Sequence, residues 1–520
     1  MKRILTSSEM YLCDRTEIES RTPSRELMRR AARACADGII RVLHDMPGLP
    51  SAPVAVLCGS GNNGGDGLLC ARLLNEDGVP ACAVTAFGDG AVLSPECEYR
   101  YDELIASGTP MLSSAQFLQN LDDPDACPYC AVVDALFGIG LSHEPEGVFA
   151  ALIDAANAYT TRHGIPAFAL DIASGISADT GEVSMHTFRA THTLAISHAK
   201  RGHVLYPGAV YTGALSVLDI GIADDVLSAA DDDMPVFMLT DADVRALLPA
   251  REPDSNKGSN GRVLIAAGSE TMCGAALLSA LAAYRSGAGL VEIFTAEQNR
   301  TPLLTRLPEA IVTTCSFADP AGAAERLALS LSRADAVVVG PGLGQSAAAR
   351  ALVHTVLTEA RCPTVIDADA LNLLAADGVP SSVSSVPRIM TPHPGEMSRL
   401  MGLSVAALTQ EPFLHAADLA RRLGCVVNAK NARSVITDGR RTYLNPTGTC
   451  ALAKGGSGDV LTGITATLCA QGCDALTAAA LAAYLHGCAA ESVTARMGVR
   501  APLASEIADE IGAVLAGFDG

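Results

Sequence analysis

Positive charge is scarce in this chain. Lys and Arg total 37 against 57 Asp and Glu, a formal charge of −20. That balance repels polyphosphate backbones and argues against a nucleic-acid partner. Small anions are still acceptable ligands, because backbone N–H groups at helix N-termini bind phosphate without net positive charge. Long apolar runs are also missing. Hydrophobic residues make up 49% of the sequence, yet no run approaches the roughly 20 residues of a membrane span. The opening "MKRILTSSEMYLCDRTEIE" turns polar too early for a signal peptide. A soluble cytoplasmic protein without membrane contact is expected. The sixteen cysteines have no repeated spacing, and Cys58, Cys70, Cys362, Cys425 and Cys488 sit in apolar segments as small buried hydrophobes do. Reduced thiols follow. Cys127 and Cys130 in "CPYC" have redox spacing but no thioredoxin-like surroundings, and chance explains them best.

At 520 residues the chain exceeds what one core usually serves, so at least two domains are expected. In the first half, "VAVLC" (54–58), "ACAVTAF" (81–87), "AVVDALF" (131–137), "PAFALDI" (166–172) and "THTLAIS" (191–197) read as strands. Helical spacing separates them in "DGLLCARLLNEDG" and "VFAALIDAANAY". Alternating strand and helix predict a parallel sheet covered on both faces. A lead helix from "SRELMRRAARACADGIIRVLHDM" aligns Leu27, Ala31, Ala34, Ile39 and Leu43, with Ser24 as its expected N-cap. The acidic stretch "IADDVLSAADDDMPVFMLT" lacks any period and marks a boundary. Domains are expected over 1–225 and 241–520, joined by a linker over 226–240. The second half reopens with "GRVLIAAGS" and again ends strands in loops rich in glycine, proline, histidine and aspartate, where open α/β sheets bind ligands. Two alanine-rich helices, "DVLTGITATLCAQG" and "DALTAAALAAYLHGCAAESV", are expected to close the chain. No residue-level internal repeat is present.

Two glycine-rich loops ending in aspartate carry the chemistry. "GSGNNGGDG" (59–67) follows a strand and opens a helix, which suits an anionic ligand, but it is neither a Walker loop nor a clean dinucleotide fingerprint. A tight connection needing positive φ is the bland alternative. "VVDALFGIGLSHE" and "ALDIASGISADTG" add Asp134, Asp171 and Ser174 at neighbouring strand ends. Oxygens of Asn, Asp and Ser converging there suit a hard cation, and Asp171 becomes a candidate acid or base, although alone it would pass for a cap. "GGSGDVLTG" (455–463) points the amides of Gly456 to Gly458 at a developing anion with Asp459 alongside. This arrangement serves phosphoryl transfer to a hydroxyl; out of context, Asp459 would simply complement a helix dipole.

"GSGNNGGDG", "VVDALFGIG", "ALDIASGISADTG" and "SHAKRGHVLYPGAVYTGALSVLDIGI" together resemble the NAD(P)H-hydrate epimerases. The resemblance implies a Rossmann-like three-layer sandwich that interconverts the R and S epimers of hydrated NADH and NADPH. It places Asn62, Asn63, Gly64, Gly65 and Asp66, then Gly138, Ile139, Gly140, Leu141, Ser142, His143 and Glu144, around the hydrate with Asp171, and assigns K⁺ to Asn63, Asp134 and Ser174. Arg201 stands where that family usually has proline, next to Lys200.

The second half resembles the ADP- or ATP-dependent NAD(P)H-hydrate dehydratases, of ribokinase-like fold, through "NKGSNGRVLIAAGS", "AAYRSGAGLV", "LPEA", "ADAVVVGPGLG", "PTVIDADALNLL", "MTPHPGEMSRL" and "GGSGDVLTGI". By that likeness Asp459 is the base and Gly455, Gly456, Ser457 and Gly458 form the anion hole. Ala275, Gly344 and His393 meet the hydrate with Asp459, and Lys430, Asn431, Ala432, Arg433 and Ser434 with Gly458 meet ADP. Mg²⁺ accompanies ADP or ATP, with ADP expected as donor. His393 and Glu396 alone make a poor zinc site, so substrate contact is the better reading. "KNARS" departs from the family pattern by placing Asn431 where glycine is usual, and "GTCALAKGG" by placing Thr449, Ala451 and Lys454 where asparagine, glycine and threonine or serine are usual; Lys454 is expected either to reach a phosphate or to project into water. A homo-oligomer is the expected assembly. The rival reading is a vitamin or sugar kinase fused to a non-catalytic nucleotide-binding scaffold.

Overall fold

The computed structural model describes residues 1–46, 52–88, 90–141, 143–223, 226, 234–378 and 385–518. It divides into two compact units, Arg3–Asp233 in one and Met234–Gly520 with Met1–Lys2 in the other. The division falls inside the stretch expected as a linker, of which 227–233 lie outside the described residues. Val236–Met238 within that stretch is a strand paired in parallel with Thr442 and Tyr443.

The strands of the first unit are β1 (Lys2–Leu5), β2 (Val54–Cys58), β3 (Ala81–Thr85), β4 (Met111–Ser113), β5 (Ala131–Ala135), β6 (Ala167–Leu170), β7 (His192–Ile196), β8 (Ala199–Lys200) and β9 (Ala214–Leu218). Seven of them form one sheet in the order β4-β3-β2-β5-β6-β7-β9, with every pairing parallel. Side chains alternate across it. Val54, Val56 and Cys58 join one core with Val133 and Leu170, whereas Ala55 and Leu57 join another with Val132 and Ala169. Both faces are therefore apolar, which is why these strands read as unbroken hydrophobic runs. The direction of winding reverses between β2 and β5, and the loops after those strands flank the resulting crevice.

The lead helix spans Ser24–His44, but Pro23 is its N-cap and Ser24 is already helical. Proline's fixed φ starts the helix without a side-chain hydrogen bond, so the expected serine cap is corrected. The first loop also differs from the bland expectation. None of its glycines has positive φ. Closeness is what excludes side chains: a Cβ on Gly59 would lie 2.0 Å from the Leu136 carbonyl oxygen, and one on Gly64 would lie 1.8 Å from that of Gly59.

The second unit contains β10 (Val236–Met238), β11 (Arg262–Ala266), β12 (Leu290–Ala296), β13 (Ile311–Cys315), β14 (Ala336–Val339), β15 (Thr364–Ile366), β16 (Arg388–Met390), β17 (Val426–Ala429), β18 (Val435–Thr437) and β19 (Thr442–Leu444). Their order is β13-β12-β11-β14-β15-β16-β17-β18-β19-β10. Pairing is parallel from β13 to β17, then antiparallel through β18 and β19. Helices Cys273–Arg285, Ser457–Ala470 and Ala475–Met497 pack on this sheet with a further helix, Ala504–Ala516, that follows the two expected to end the chain. Among the described residues no helix is long and apolar enough to cross a membrane.

Because backbone rather than a flexible side chain opposes it, Gly64→Ala is expected to destabilise the first unit by about 1–3 kcal/mol. Gly61→Ala, where a Cβ meets nothing within 4 Å, should cost under about 1 kcal/mol as a loss of N-cap preference. Thermal unfolding of the two variants checks the contrast.

Candidate active sites

In the first unit, functional side chains gather where β2, β5, β6 and β7 end. Asn63, in the first turn of helix Asn62–Glu76, donates from Nδ2 to the Phe137 carbonyl at 2.8 Å. Asp134 is fully buried and accepts from the Ser174 hydroxyl at 2.7 Å, the Ser174 amide at 2.7 Å and the Leu136 amide at 3.1 Å. Burial raises its carboxyl to about 6, although those donors pull the other way. Asn63, Asp134 and Ser174 thus converge on one oxygen-rich spot beside the Phe137 carbonyl. Their donor set of amide, carboxylate, carbonyl and hydroxyl oxygens fits a weakly charged hard cation such as K⁺.

Asp171 sits just past β6 with φ of 61°. Its carboxylate is ion-paired with Lys200 Nζ and accepts the Ile196 amide at 3.1 Å. Lys200 is 1% exposed. His203 locks the pair from behind: its Nδ1 accepts the Lys200 amide at 2.9 Å, so Nε2 carries the proton donated to the Asp171 carbonyl at 2.8 Å. Burial, helped by Lys200, lowers His203 to about 4 and keeps it neutral. Arg201, the departure from proline, leaves this arrangement of Lys200 intact. Asp66 points toward the same region, and its Oδ1 is buried without a hydrogen-bond partner among the described residues. Burial first, then the charges of Asp171 and Asp14, hold its carboxyl well above the usual range.

The loop from Gly138 to Glu144 borders this group, with Ser142 outside the described residues. A Cβ on Gly138 would touch the Asn63 side chain at 3.3 Å, and one on Gly140 would lie 2.5 Å from Tyr11 Oη. Ile139 packs into the core, Leu141 donates its amide to Gly138, His143 stands edge-on to Phe137, and Glu144 accepts the Met185 amide at 3.1 Å. Tyr11 and Asp14, on helix Ser7–Ser20, were missed by the sequence reading. The signal was available: "TSSE" from Thr6 to Glu9 forms a capping box, with Thr6 accepting the Glu9 amide and Glu9 accepting that of Thr6.

The second site occupies the carboxyl ends of β14 to β17 and the start of helix Ser457–Ala470. Gly456 caps that helix at φ 95°, and the Ser457 hydroxyl is buried without a partner among the described residues. The backbone at Gly458 faces charge directly, since a Cβ there would lie 3.2 Å from Lys430 Nζ and 3.3 Å from Asp367 Oδ2. Gly455 is exposed at the loop's rim. Lys430 binds Asp367 at 2.8 Å and lies 4.0 Å from Glu396. Burial lowers the Lys430 ammonium, but Asp367, Glu396 and Asp459 outweigh it and the net shift is upward. Asp459 is pushed up to about 7 by burial and Asp367, against the pull of Lys430. Glu396 likewise reaches about 7, chiefly through burial.

His393 is the N-cap of helix Pro394–Met401; it accepts the Gly395 amide at Nδ1 and donates its own amide to Glu396. Burial, Lys430 and Arg399 lower its pKa. Gly344, at φ 70°, donates its amide to Asp369 at 2.8 Å, and Ala275 abuts the neighbouring Gly342. Of Lys430 to Ser434, only Lys430 reaches the Asp459 group; Asn431 and Ala432 face solvent, while Arg433 and Ser434 are half-buried behind them. Neither Asn431 nor Ala451 has positive φ, so loss of glycine there imposes no strain. Lys454 neither reaches into the site nor projects freely. It donates to the carbonyls of Arg500 and Pro502, each at 2.6 Å. The sequence reading gave no role to Asp367 or Asp369 in "IDADAL", because acidic residues at a strand end look like caps until Lys430 is seen opposite.

A family profile described as NAD(P)H-hydrate dehydratase matches residues 263–512, and one described as YjeF-related protein N-terminus matches 24–202. The chain is 37% identical, over 98% of its length and 96% of the relative's, to the bifunctional NAD(P)H-hydrate repair enzyme Nnr of Moorella thermoacetica. Against the enzyme of the same name from Escherichia coli K12 it is 35% identical, covering 87% of this chain and 83% of that one. Among solved structures, the ADP/ATP-dependent NAD(P)H-hydrate dehydratase of Bacillus subtilis, co-crystallized with ATP/Mg²⁺, is 37% identical over 54% of this chain and 98% of its own, with a TM-score of 0.48.

Lys200→Met would strand the Asp171 carboxylate without its ion-pair partner. The expected loss is about 3–5 kcal/mol of first-unit stability in denaturant unfolding. Arg15→Met, which breaks a pair exposed by 72% and 64%, should change stability by less than about 1 kcal/mol.

Proposed function

The chain belongs to the bifunctional NAD(P)H-hydrate repair enzymes, and from that membership we propose how its two sites divide the work. The first unit, Rossmann-like, is the epimerase of R and S hydrates. The second, ribokinase-like, is the nucleotide-dependent dehydratase that restores NADH or NADPH. One polypeptide thereby recovers both epimers of a damaged cofactor. The domains expected over 1–225 and 241–520 correspond to these two units, the second extended back to Met234 by β10.

The dehydratase reading rests on Asp459. It stands next to Lys430 and the Gly458 backbone with a carboxyl near 7, the poise expected of a general base at neutral pH. Asp459 removes the proton from the hydroxyl on the hydrated nicotinamide ring as that oxygen attacks the terminal phosphoryl group of ADP or ATP. Amides of Gly455 to Gly458 and the Ser457 hydroxyl neutralise the charge that develops. Phosphate then leaves as the ring nitrogen's electron pair forms a carbon–nitrogen double bond; the neighbouring ring carbon gives up a proton, its electron pair forms the ring carbon–carbon double bond, the pair returns to nitrogen, and the reduced nicotinamide is restored. Ala275, Gly344 and His393 contact the hydrate, and Lys430 to Ser434 contact the nucleotide. ADP is the preferred donor, giving AMP and phosphate.

Among the described residues no three His, Cys, Asp or Glu side chains converge to hold a metal unaided. Asp367, Asp369, Glu396 and Asp459 nevertheless outnumber Lys430, a hard-oxygen surplus that fits Mg²⁺ arriving on the phosphates. Bound there, Mg²⁺ would neutralise phosphoryl charge during transfer. In the first unit Asn63, Asp134 and Ser174 hold K⁺, which would supply positive charge beside the hydrate's anionic groups. Asn62 to Asp66, Gly138 to Glu144 and Asp171 line the hydrate. A cytoplasmic setting is supported by sixteen free thiols. Self-association into a homo-oligomer completes the proposal and is read directly by light scattering.

The base works ionised. Since the Asp459 carboxyl lies near 7, its ionised fraction falls about tenfold per pH unit below that value. Dehydratase kcat/KM should therefore have an acid limb near 7, well above the ~4 of an ordinary aspartate. Lys430→Ala, which removes the charge that lowers this carboxyl, should move the limb upward, and Asp459→Asn should lose at least about 10²-fold. Full activity retained at pH 5 would remove Asp459 from the role.

Incubating the protein with both hydrate epimers, Mg²⁺ and either ADP or ATP, while reduced-nicotinamide absorbance returns, tests the pairing of activities. Complete recovery, faster with ADP, is expected. Recovery that stops at the S fraction would deny the epimerase. Stable phosphorylated product without restored NADH would favour the small-molecule kinase instead.

A further inference from the structure

The N-terminal segment brings one carboxyl to the first site that the preceding reading leaves unused. Pairing of Ile4 with Ala199 and Leu5 with Lys200 sets β1 directly beside the buried lysine. The chain then turns into helix Ser7–Ser20. Asp179 holds the helix start, accepting the Ser7 amide at 2.6 Å and the Ser7 hydroxyl at 2.7 Å. Met10 and Cys13 are buried with Leu5, and Ile139 of the hydrate loop packs against them. Tyr11 Oη consequently rests over Gly140.

Asp14 follows Tyr11 by three residues and Met10 by four, so it shares their face of the helix. It lies within electrostatic reach of both Lys200 and Asp171, and burial is the main cause of its carboxyl rising to about 7, with Lys200 opposing and Asp171 adding. Other ionisable groups nearby are Tyr11, raised by burial and by Asp14 and Asp171, and the buried Asp66. Asp171 is ion-paired to Lys200, whereas Asp14 is in no ion pair among the described residues. Two carboxyl groups in unlike surroundings are the means by which an active site separates an acid from a base.

We propose that Asp14 is the general acid of epimerisation and that Asp171, paired with Lys200, is the general base, a proposal that rests on the epimerase reading above. In the hydrate the hydroxyl is carried by the ring carbon bonded to the ring nitrogen. The Asp14 proton passes to that oxygen, the carbon–oxygen bond breaks, water leaves, and the nitrogen's electron pair forms a carbon–nitrogen double bond. Water then adds to the opposite face of the carbon. Its proton goes to Asp171 and the electron pair returns to nitrogen. One water is lost and one gained, one proton given and one taken, so no oxidant or reductant is needed. Solvent returns the proton from Asp171 to Asp14 between turnovers.

The test starts with the wild-type chain, pure R hydrate and ¹⁸O-labelled water. One labelled oxygen per epimerisation event, by mass spectrometry, is expected; retention of the original oxygen would overturn the elimination and re-addition. Asp14→Asn should slow epimerisation at least about 10²-fold, and Asp14→Glu should recover part of that loss. The wild-type kcat/KM should fall above about pH 7 as Asp14 loses its proton, and this alkaline limb should vanish in Asp14→Asn. Arg15→Ala, on the same helix but exposed, should epimerise normally, and all variants should dehydrate the S hydrate at the wild-type rate. If the wild type fails to speed epimerisation over buffer, the epimerase reading itself falls. An Asp14→Asn enzyme as fast as an active wild type, or one that keeps the alkaline limb, overturns Asp14 alone.

Discussion

Lys200 and Lys430 each hold an aspartate, Asp171 and Asp367, at the carboxyl end of a parallel strand, with a second carboxyl left close by and poorly compensated. A buried ammonium is tolerable only when paired, and the pairing leaves too little positive charge for the neighbour. Burial first, with Asp171 and Asp367 adding and the two lysines only partly offsetting it, raises Asp14 in one unit and Asp459 in the other to about 7. The same constraint serves two different reactions. On the proposed assignments, the spared proton in the first unit is given to a leaving hydroxyl, and in the second the near-neutral carboxylate takes one from an attacking hydroxyl.

Such a balance survives only if the backbone brings the groups together without slack. The loops achieve this by approach distances that exclude even a methyl group, as at Gly59 and Gly64 in the first unit and at Gly340 in the second, where a Cβ would lie 1.9 Å from the Asp367 carbonyl oxygen. Residues outside the favoured backbone regions cluster beside the same groups. Asp171 and Ala368 have φ of 61° and 52°, and each adjoins a charged residue whose direction matters. Strain of this kind persists where surrounding contacts over-determine it; here those contacts include the His203 bond to the Asp171 carbonyl and the bond from Gly344 to Asp369.

Much of this was legible in the sequence. The five strands expected in the first half occur at or within one or two residues of their expected ends, because each is largely buried and rich in apolar residues, although β5 carries Asp134 and β7 carries His192 and Thr193. The short outer strands β4 and β9 carry partly exposed residues and gave no comparable signal. The glycine loops and their terminal aspartates stood out because glycine density is a local property. What escaped notice was remote or conformational. Asp14 lies 157 positions before Asp171, and a polar N-terminal helix has no apolar run to announce it. Lys454 looked equally suited to phosphate or water, and only the fold brings the carbonyls of Arg500 and Pro502 within its reach.

By itself the sequence determined the two α/β units, the parallel strands and the loops that bear reactive side chains, because hydrophobic period and glycine placement act over a few residues. Tertiary structure decided which charges meet. Whether Asp459 sits opposite Lys430, whether Lys200 pairs with Asp171 or with Asp14, and whether His203 is neutral depend on burial and on distances between strand ends. Those quantities set the protonation states on which both reactions turn.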